Sequence, residues 1–112
     1  MEYIFSGIVY NVVDGDTVDA ELDLGFKLKI KQRLRLAGID TPERGQPGFE
    51  EAKQALIEKT LNKTLTFTTY KQSKWGYFLA DIEFDDQSIN QSMITEGFAK
   101  PYTGGTKDDT SS

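Results

Sequence analysis

Cysteine and histidine are both absent from the 112 residues. That excludes disulfides, thiolate or imidazole metal sites, and hydrolytic mechanisms built on a histidine base. Any metal ion has to be held by oxygen. No apolar run approaches the roughly 20 residues that cross a bilayer, so no membrane partner is expected. The opening residues MEYIFSG show neither the basic nor the apolar region of a secretory leader, an expectation that favours the cytoplasm over secretion. Positive charge is also in deficit. A formal net charge of -5 argues at face value against nucleic acid, whose binding modules usually carry a basic excess. The distribution says otherwise, because Lys27, Lys29, Lys31, Arg33 and Arg35 fall within nine residues. A local basic face on an acidic protein is enough for a phosphate-bearing partner.

What is present is enough chain for one domain with one core, expected over 1–102 and monomeric. Residues 103–112, TGGTKDDTSS, have no apolar anchor and are expected to be disordered.

The stretch 33–43, RLRLAGIDTPE, organises the chain. It begins as an alternating strand and ends in a turn set by Pro42, which pushes Thr41 toward an extended conformation. Arg35, Asp40, Thr41 and Glu43 are thereby delivered close together, and the Asp40 carboxylate and Thr41 carbonyl are both available to one pocket. Hard oxygen donors of this kind suit Ca2+ or Mg2+. A second fragment, Asp14-Gly15-Asp16-Thr17, adds a carboxylate pair on a tight turn.

The rest of the chain reads as strands and two helices. Residues 3–13 form a β-rich run with a bulge or bend expected at Ser6-Gly7. After Thr17, Val18, Ala20, Leu22 and Leu24 alternate with Asp19, Glu21 and Asp23, the period of a half-buried strand. Leu28, Ile30, Leu34 and Leu36 then alternate with the basic residues. A hairpin centred on Gly25 sets Asp23 opposite Lys27, Glu21 opposite Lys29 and Asp19 opposite Lys31, each pair contributing ~0.2–1 kcal/mol. On this register Lys27, Lys29 and Lys31 serve ionic pairing, whereas Arg33 and Arg35 outrun the acidic partners. A helix is expected over 49–61, a fourth strand over 64–70, a fifth over 77–84, and a short helix capped by Ser88 and ended by Gly97. Three strands, a helix, two strands and a helix fit a β-rich α+β domain, and specifically a five-stranded OB-fold barrel.

DGDT at 14–17, RLAGIDTPE at 35–43 and KWGYFLADI at 74–82, in that order, resemble the staphylococcal nuclease (thermonuclease) family from about Gly7 to Tyr102. The resemblance implies the OB fold and a Ca2+-dependent nuclease acting on DNA or RNA with little sequence preference. It also implies Asp16, Asp40 and the Thr41 carbonyl as metal ligands, with Asp14 supporting them from behind. Glu43 would be the general base and Arg35 a bidentate clamp on the phosphate. Lys74, Trp75, Tyr102 and Arg33 are expected to contact nucleic acid at the rim, the aromatics by stacking on bases or else by partial burial.

One departure stands out. Family members usually read Tyr-Gly-Arg where this chain reads Trp75-Gly76-Tyr77, so Tyr77 occupies the place of a second catalytic arginine. Arg33 or Arg44 are the cations near enough in sequence to substitute. The alternative is a catalytically impaired barrel that binds nucleic acid or a protein partner.

Overall fold

The computed structural model describes residues 3–72 and 77–102. Lys74 and Trp75, and the tail 103–112, lie outside the described residues.

Alternation of β-branched and aromatic residues with polar ones produces five long strands. β1 (Tyr3–Asp14), β2 (Thr17–Gly25) and β3 (Leu28–Leu36) form a meander, and β5 (Thr64–Gln72) and β6 (Phe78–Phe84) a second antiparallel pair. β1 pairs with β5, and β3 pairs in parallel with β6 through Leu34–Phe78, Arg35–Leu79 and Leu36–Ala80. That last pairing closes the sheet into a five-stranded barrel of the OB type, which removes the free edges an open sheet would present. Short pieces complete it: β4 (Ile39–Asp40) pairs with β8 (Lys100–Pro101), and β7 (Gln87–Ser88) pairs antiparallel with the end of β6.

Inward side chains fill the barrel, with Val9, Val18, Ala20, Leu34, Leu36, Phe67, Ala80 and Ile82 fully buried. α1 (Phe49–Thr60) closes the barrel with Ala52, Ala55 and Leu56, and α2 (Ile89–Thr95) packs Ile89 and Met93 against the same core. Burying each of the larger side chains contributes about 1.5–3 kcal/mol. Glu50 and Glu51 face the positive end of the α1 dipole, and Gly48 supplies its N-terminus in a left-handed conformation. Ser88 caps α2 as expected, its hydroxyl accepting from the Gln91 N–H at 3.0 Å.

Two expectations about the meander are corrected. β1 does not break at Ser6-Gly7; its register slips between Val9 and Asn11 and between Val12 and Asp14. Gly7 is needed instead for close approach, since a Cβ there would lie 2.6 Å from the Glu21 carbonyl oxygen. The β2–β3 register is also shifted by two residues, pairing Asp23 with Lys29, Glu21 with Lys31 and Asp19 with Arg33. The turn sits on Phe26 and Lys27, both left-handed at φ 55° and 65°, beyond an irregularity between Asp23 and Gly25. A two-residue shift keeps Leu34 and Leu36 on the core face but gives every charge a new partner. The hairpin end overhangs the barrel, so Leu24, Leu28 and Ile30 are exposed where the alternation predicted burial, and Phe26 is 97% exposed.

Candidate active site

The two acidic fragments meet at one end of β2 and β3. The β1–β2 turn, residues 14–17, is held to the end of β3 by the Leu36 N–H donating to the Asp16 carbonyl at 2.8 Å. Gly15 lets that turn lie on the following loop, because a Cβ would meet both Thr41 Oγ1 and the Ala52 Cβ at 2.8 Å. Gly38, at φ 77°, turns the chain from β3 into β4. The Tyr102 N–H donates to the Gly38 carbonyl at 2.8 Å and brings the end of the described chain alongside.

The result is a cleft of about 510 Å³ lined by Asp14, Asp16, Thr17, Arg35, Asp40, Thr41, Pro42, Glu43, Tyr77 and Tyr102. Its most buried acid is Asp16, only 7% exposed. The Asp16 carboxylate accepts from the Thr17 hydroxyl (3.2 Å), the Thr41 N–H (3.2 Å) and Arg35 Nη2 (3.2 Å). Burial, followed by a hydrogen bond with the Asp14 carboxyl, nevertheless pushes the Asp16 carboxyl up to about 6, with Arg35 offsetting part of the rise. Asp14 also accepts from the Asp16 N–H at 3.1 Å, so it both shapes the turn and faces the cleft.

Arg35 is fixed from several sides. Nη1 donates to the carbonyls of Leu36 (3.4 Å) and Ile39 (3.2 Å), while Nη2 sits 3.2 Å from Asp16 and 3.5 Å from Asp40. Its guanidinium lies 5.2 Å from the centroid of the Tyr102 ring. Glu43 is exposed on the cleft wall, in a turn closed by the Gln46 side chain accepting from the Glu43 N–H at 2.8 Å.

The structure therefore gathers Asp14, Asp16, Arg35, Asp40, Thr41, Glu43, Tyr77 and Tyr102. Arg33 is corrected: it does not outrun the acidic partners. Its Nε and Nη2 donate to the two Asp19 oxygens at 2.7 and 3.0 Å, a consequence of the shifted register. Asp19 first, and Tyr77 after it, raise the Arg33 guanidinium above its ordinary pKa. Arg44 stacks 5.1 Å from the centroid of the Phe49 ring.

Asn90 was passed over by the sequence reading, yet it ties the site's support together. Its Oδ1 accepts from the Ile82 N–H at 3.0 Å, and its Nδ2 donates to the carbonyls of Ala37 (2.8 Å) and Ala80 (3.1 Å). One buried side chain thus links α2, β6 and the turn that delivers Asp40. The only cue in sequence was an amide two residues beyond a helix cap, which reads as an ordinary surface residue.

A closed five-stranded barrel with an acidic cleft at the β1–β2 turn and the end of β3 defines an OB-fold domain built for a small charged site. Residues 33–111 match the family described as staphylococcal nuclease homologue, and the chain belongs to that family. It is 31% identical over 107 residues to a micrococcal nuclease of Shigella flexneri, covering 88% of this chain and 59% of that protein. An uncharacterized endonuclease of Escherichia coli O157:H7 is 29% identical over 97 residues, covering 86% and 60%. A probable staphylococcal-like nuclease of Oryza sativa subsp. japonica is 37% identical over 73 residues, covering 65% of this chain and 22% of that protein. The chain thus spans from about a fifth to three-fifths of the length of these relatives.

Proposed function

We propose that this chain hydrolyses phosphodiester bonds of DNA or RNA with little sequence preference, using Ca2+. The observation that carries the reading is the composition of the cleft: Asp14, Asp16, Asp40 and Glu43 line it against the single guanidinium of Arg35. Four carboxylates are the wrong sign for a phosphodiester unless a cation is added. The donor set fits a hard divalent ion, with Asp16 and Asp40 sharing one Arg35 nitrogen and the Thr41 carbonyl available from the same turn. Among the described residues no third acidic, histidine or cysteine side chain joins a metal-holding cluster, so the remaining ligands would be backbone oxygen and water. When bound, such an ion supplies positive charge to a phosphoryl oxygen as charge develops in the displacement.

The chain's own groups do the rest. Glu43, exposed on the wall, accepts a proton from the attacking water. Arg35 is oriented by the Leu36 and Ile39 carbonyls and by Tyr102 beside it, and its Nη2, now on Asp16 and Asp40, would turn to the phosphate once a cation takes those carboxylates. Backbone phosphates carry no base information, which accounts for low sequence preference.

The placement of Tyr77 favours one other reading. That residue lines the cleft and supplies no guanidinium there, so a barrel that binds nucleic acid without cutting is the alternative. Digestion of single-stranded DNA in millimolar Ca2+, repeated with EGTA, separates the two. We expect cutting that EGTA stops and that Glu43→Gln lowers by ~10^2–10^4-fold. Ca2+-dependent binding with no cutting would replace the enzyme by the binding module.

A further inference from the structure

The chain has three arginines, and each is held differently. Arg35 lies in the cleft with both terminal nitrogens engaged, and Arg44 lies on Phe49. Arg33 stands two residues before Arg35 on the same face of β3, about 7 Å along the strand. Its Nε and Nη2 grip Asp19 at 2.7 and 3.0 Å, and Asp19 is itself steadied by Asn11 Nδ2 at 2.9 Å. Tyr77, which lines the cleft, is a neighbour of the Arg33 guanidinium. Arg33 is thus anchored to the barrel through Asp19. A guanidinium has five N–H bonds. The fork on Asp19 uses two, which leaves donors for a further acceptor on a side chain that is 43% exposed.

The geometry points to Arg33 as the binding group for the phosphate adjacent to the one held at Arg35. The two-residue step of a β-strand is the same size as the spacing of successive phosphates in an extended nucleic-acid strand. A substrate lying along β3 therefore presents neighbouring phosphates to neighbouring outward arginines. Fixing the guanidinium beforehand reduces the side-chain ordering that binding requires. This inference rests on the phosphodiesterase reading above, and it makes the site one for a polynucleotide in preference to an isolated diester.

The test compares kcat/KM in Ca2+ on a single-stranded DNA 12-mer and on a nitrophenyl diester of a single nucleotide, which has no neighbouring phosphate. Arg33→Ala also uncovers Asp19, so the neutral pair Asp19→Asn with Arg33→Gln is measured beside it. We expect both to lower the ratio of oligonucleotide to single-diester activity about tenfold, mainly through KM. Arg33→Lys should recover part of it. Equal loss on both substrates would mark Arg33 as structural and overturn the inference, as would a loss confined to Arg33→Ala. If the parent cuts neither substrate, the nuclease reading fails, and the subsite is then read from fluorescence anisotropy of the labelled 12-mer. There Arg33→Ala should weaken binding and flatten its dependence on log salt by up to about one unit of slope. An unchanged affinity and slope would overturn it.

Discussion

Asp16 shows how one residue is held against its own preference. Its carboxyl is raised to about 6 by burial and by Asp14, although Arg35 and the Thr41 N–H favour the ionised form. A folded-state pKa above the unfolded one means the stability tied to this group is present below about pH 4 and lost as pH rises through 6. At pH 7 without a divalent ion the ionised Asp16 therefore costs the fold up to about 3 kcal/mol. Asp19 runs the other way, lowered first by the hydrogen bond from Arg33, so its contribution fades on acidification. We expect Asp16→Asn to raise Tm in EDTA at pH 7 by an amount equivalent to ~1–3 kcal/mol, and to flatten the loss of stability between pH 4 and 7. Thermal melts in EDTA across that range check it. A lower Tm at pH 7 would show that the Arg35 and Thr41 contacts outweigh the burial cost.

At the scale of elements, the alternation of Val18, Ala20 and Leu22 with acids and of Leu34 and Leu36 with bases was legible, and so was the meeting of DGDT with RLAGIDTPE. The register was not. It depends on Phe26 and Lys27 adopting left-handed conformations, which neither residue type advertises, and that two-residue difference decided the partner of Arg33. Asn90 was illegible for a related reason: its value lies in where β6 and the β3–β4 turn happen to pass. Removing it strips the side-chain partner from the Ile82 N–H and the Ala37 carbonyl, while the Ala80 carbonyl keeps the Ala37 N–H. We expect Asn90→Ala to destabilise by ~2–4 kcal/mol in urea unfolding. It should also reduce activity in the folded fraction, because Ala37 leads directly into the turn that carries Asp40. A shift in the urea midpoint worth under 0.5 kcal/mol would show that water replaces the side chain at no loss.

For the whole molecule, barrel closure and charge act together. Parallel pairing of β3 with β6 seals the sheet and fixes the end of β3, so Arg35 and the turn after it cannot drift from the β1–β2 turn. Neither sequence segment announces that pairing, since parallel partners leave no local turn signal. The closed barrel then holds Asp16 and Asp40 at a separation the unfolded chain does not maintain, and a cation that binds only the closed form must stabilise it. Ligand at a hundredfold excess over Kd adds about 2.7 kcal/mol, several degrees in Tm for a domain of this size. We expect millimolar Ca2+ to raise Tm by that order and to restore stability most at pH 7, where Asp16 is ionised. Asp16→Asn and Asp40→Asn should each abolish most of the rise, whereas Glu43→Gln should keep it, because Glu43 is assigned to the proton and not to the ion. Differential scanning calorimetry of the parent and the three variants, with and without Ca2+, reads all of this in one series. A parent Tm indifferent to Ca2+ removes Asp16 and Asp40 as ligands. A rise lost equally in Glu43→Gln would move Glu43 from proton acceptor to ligand.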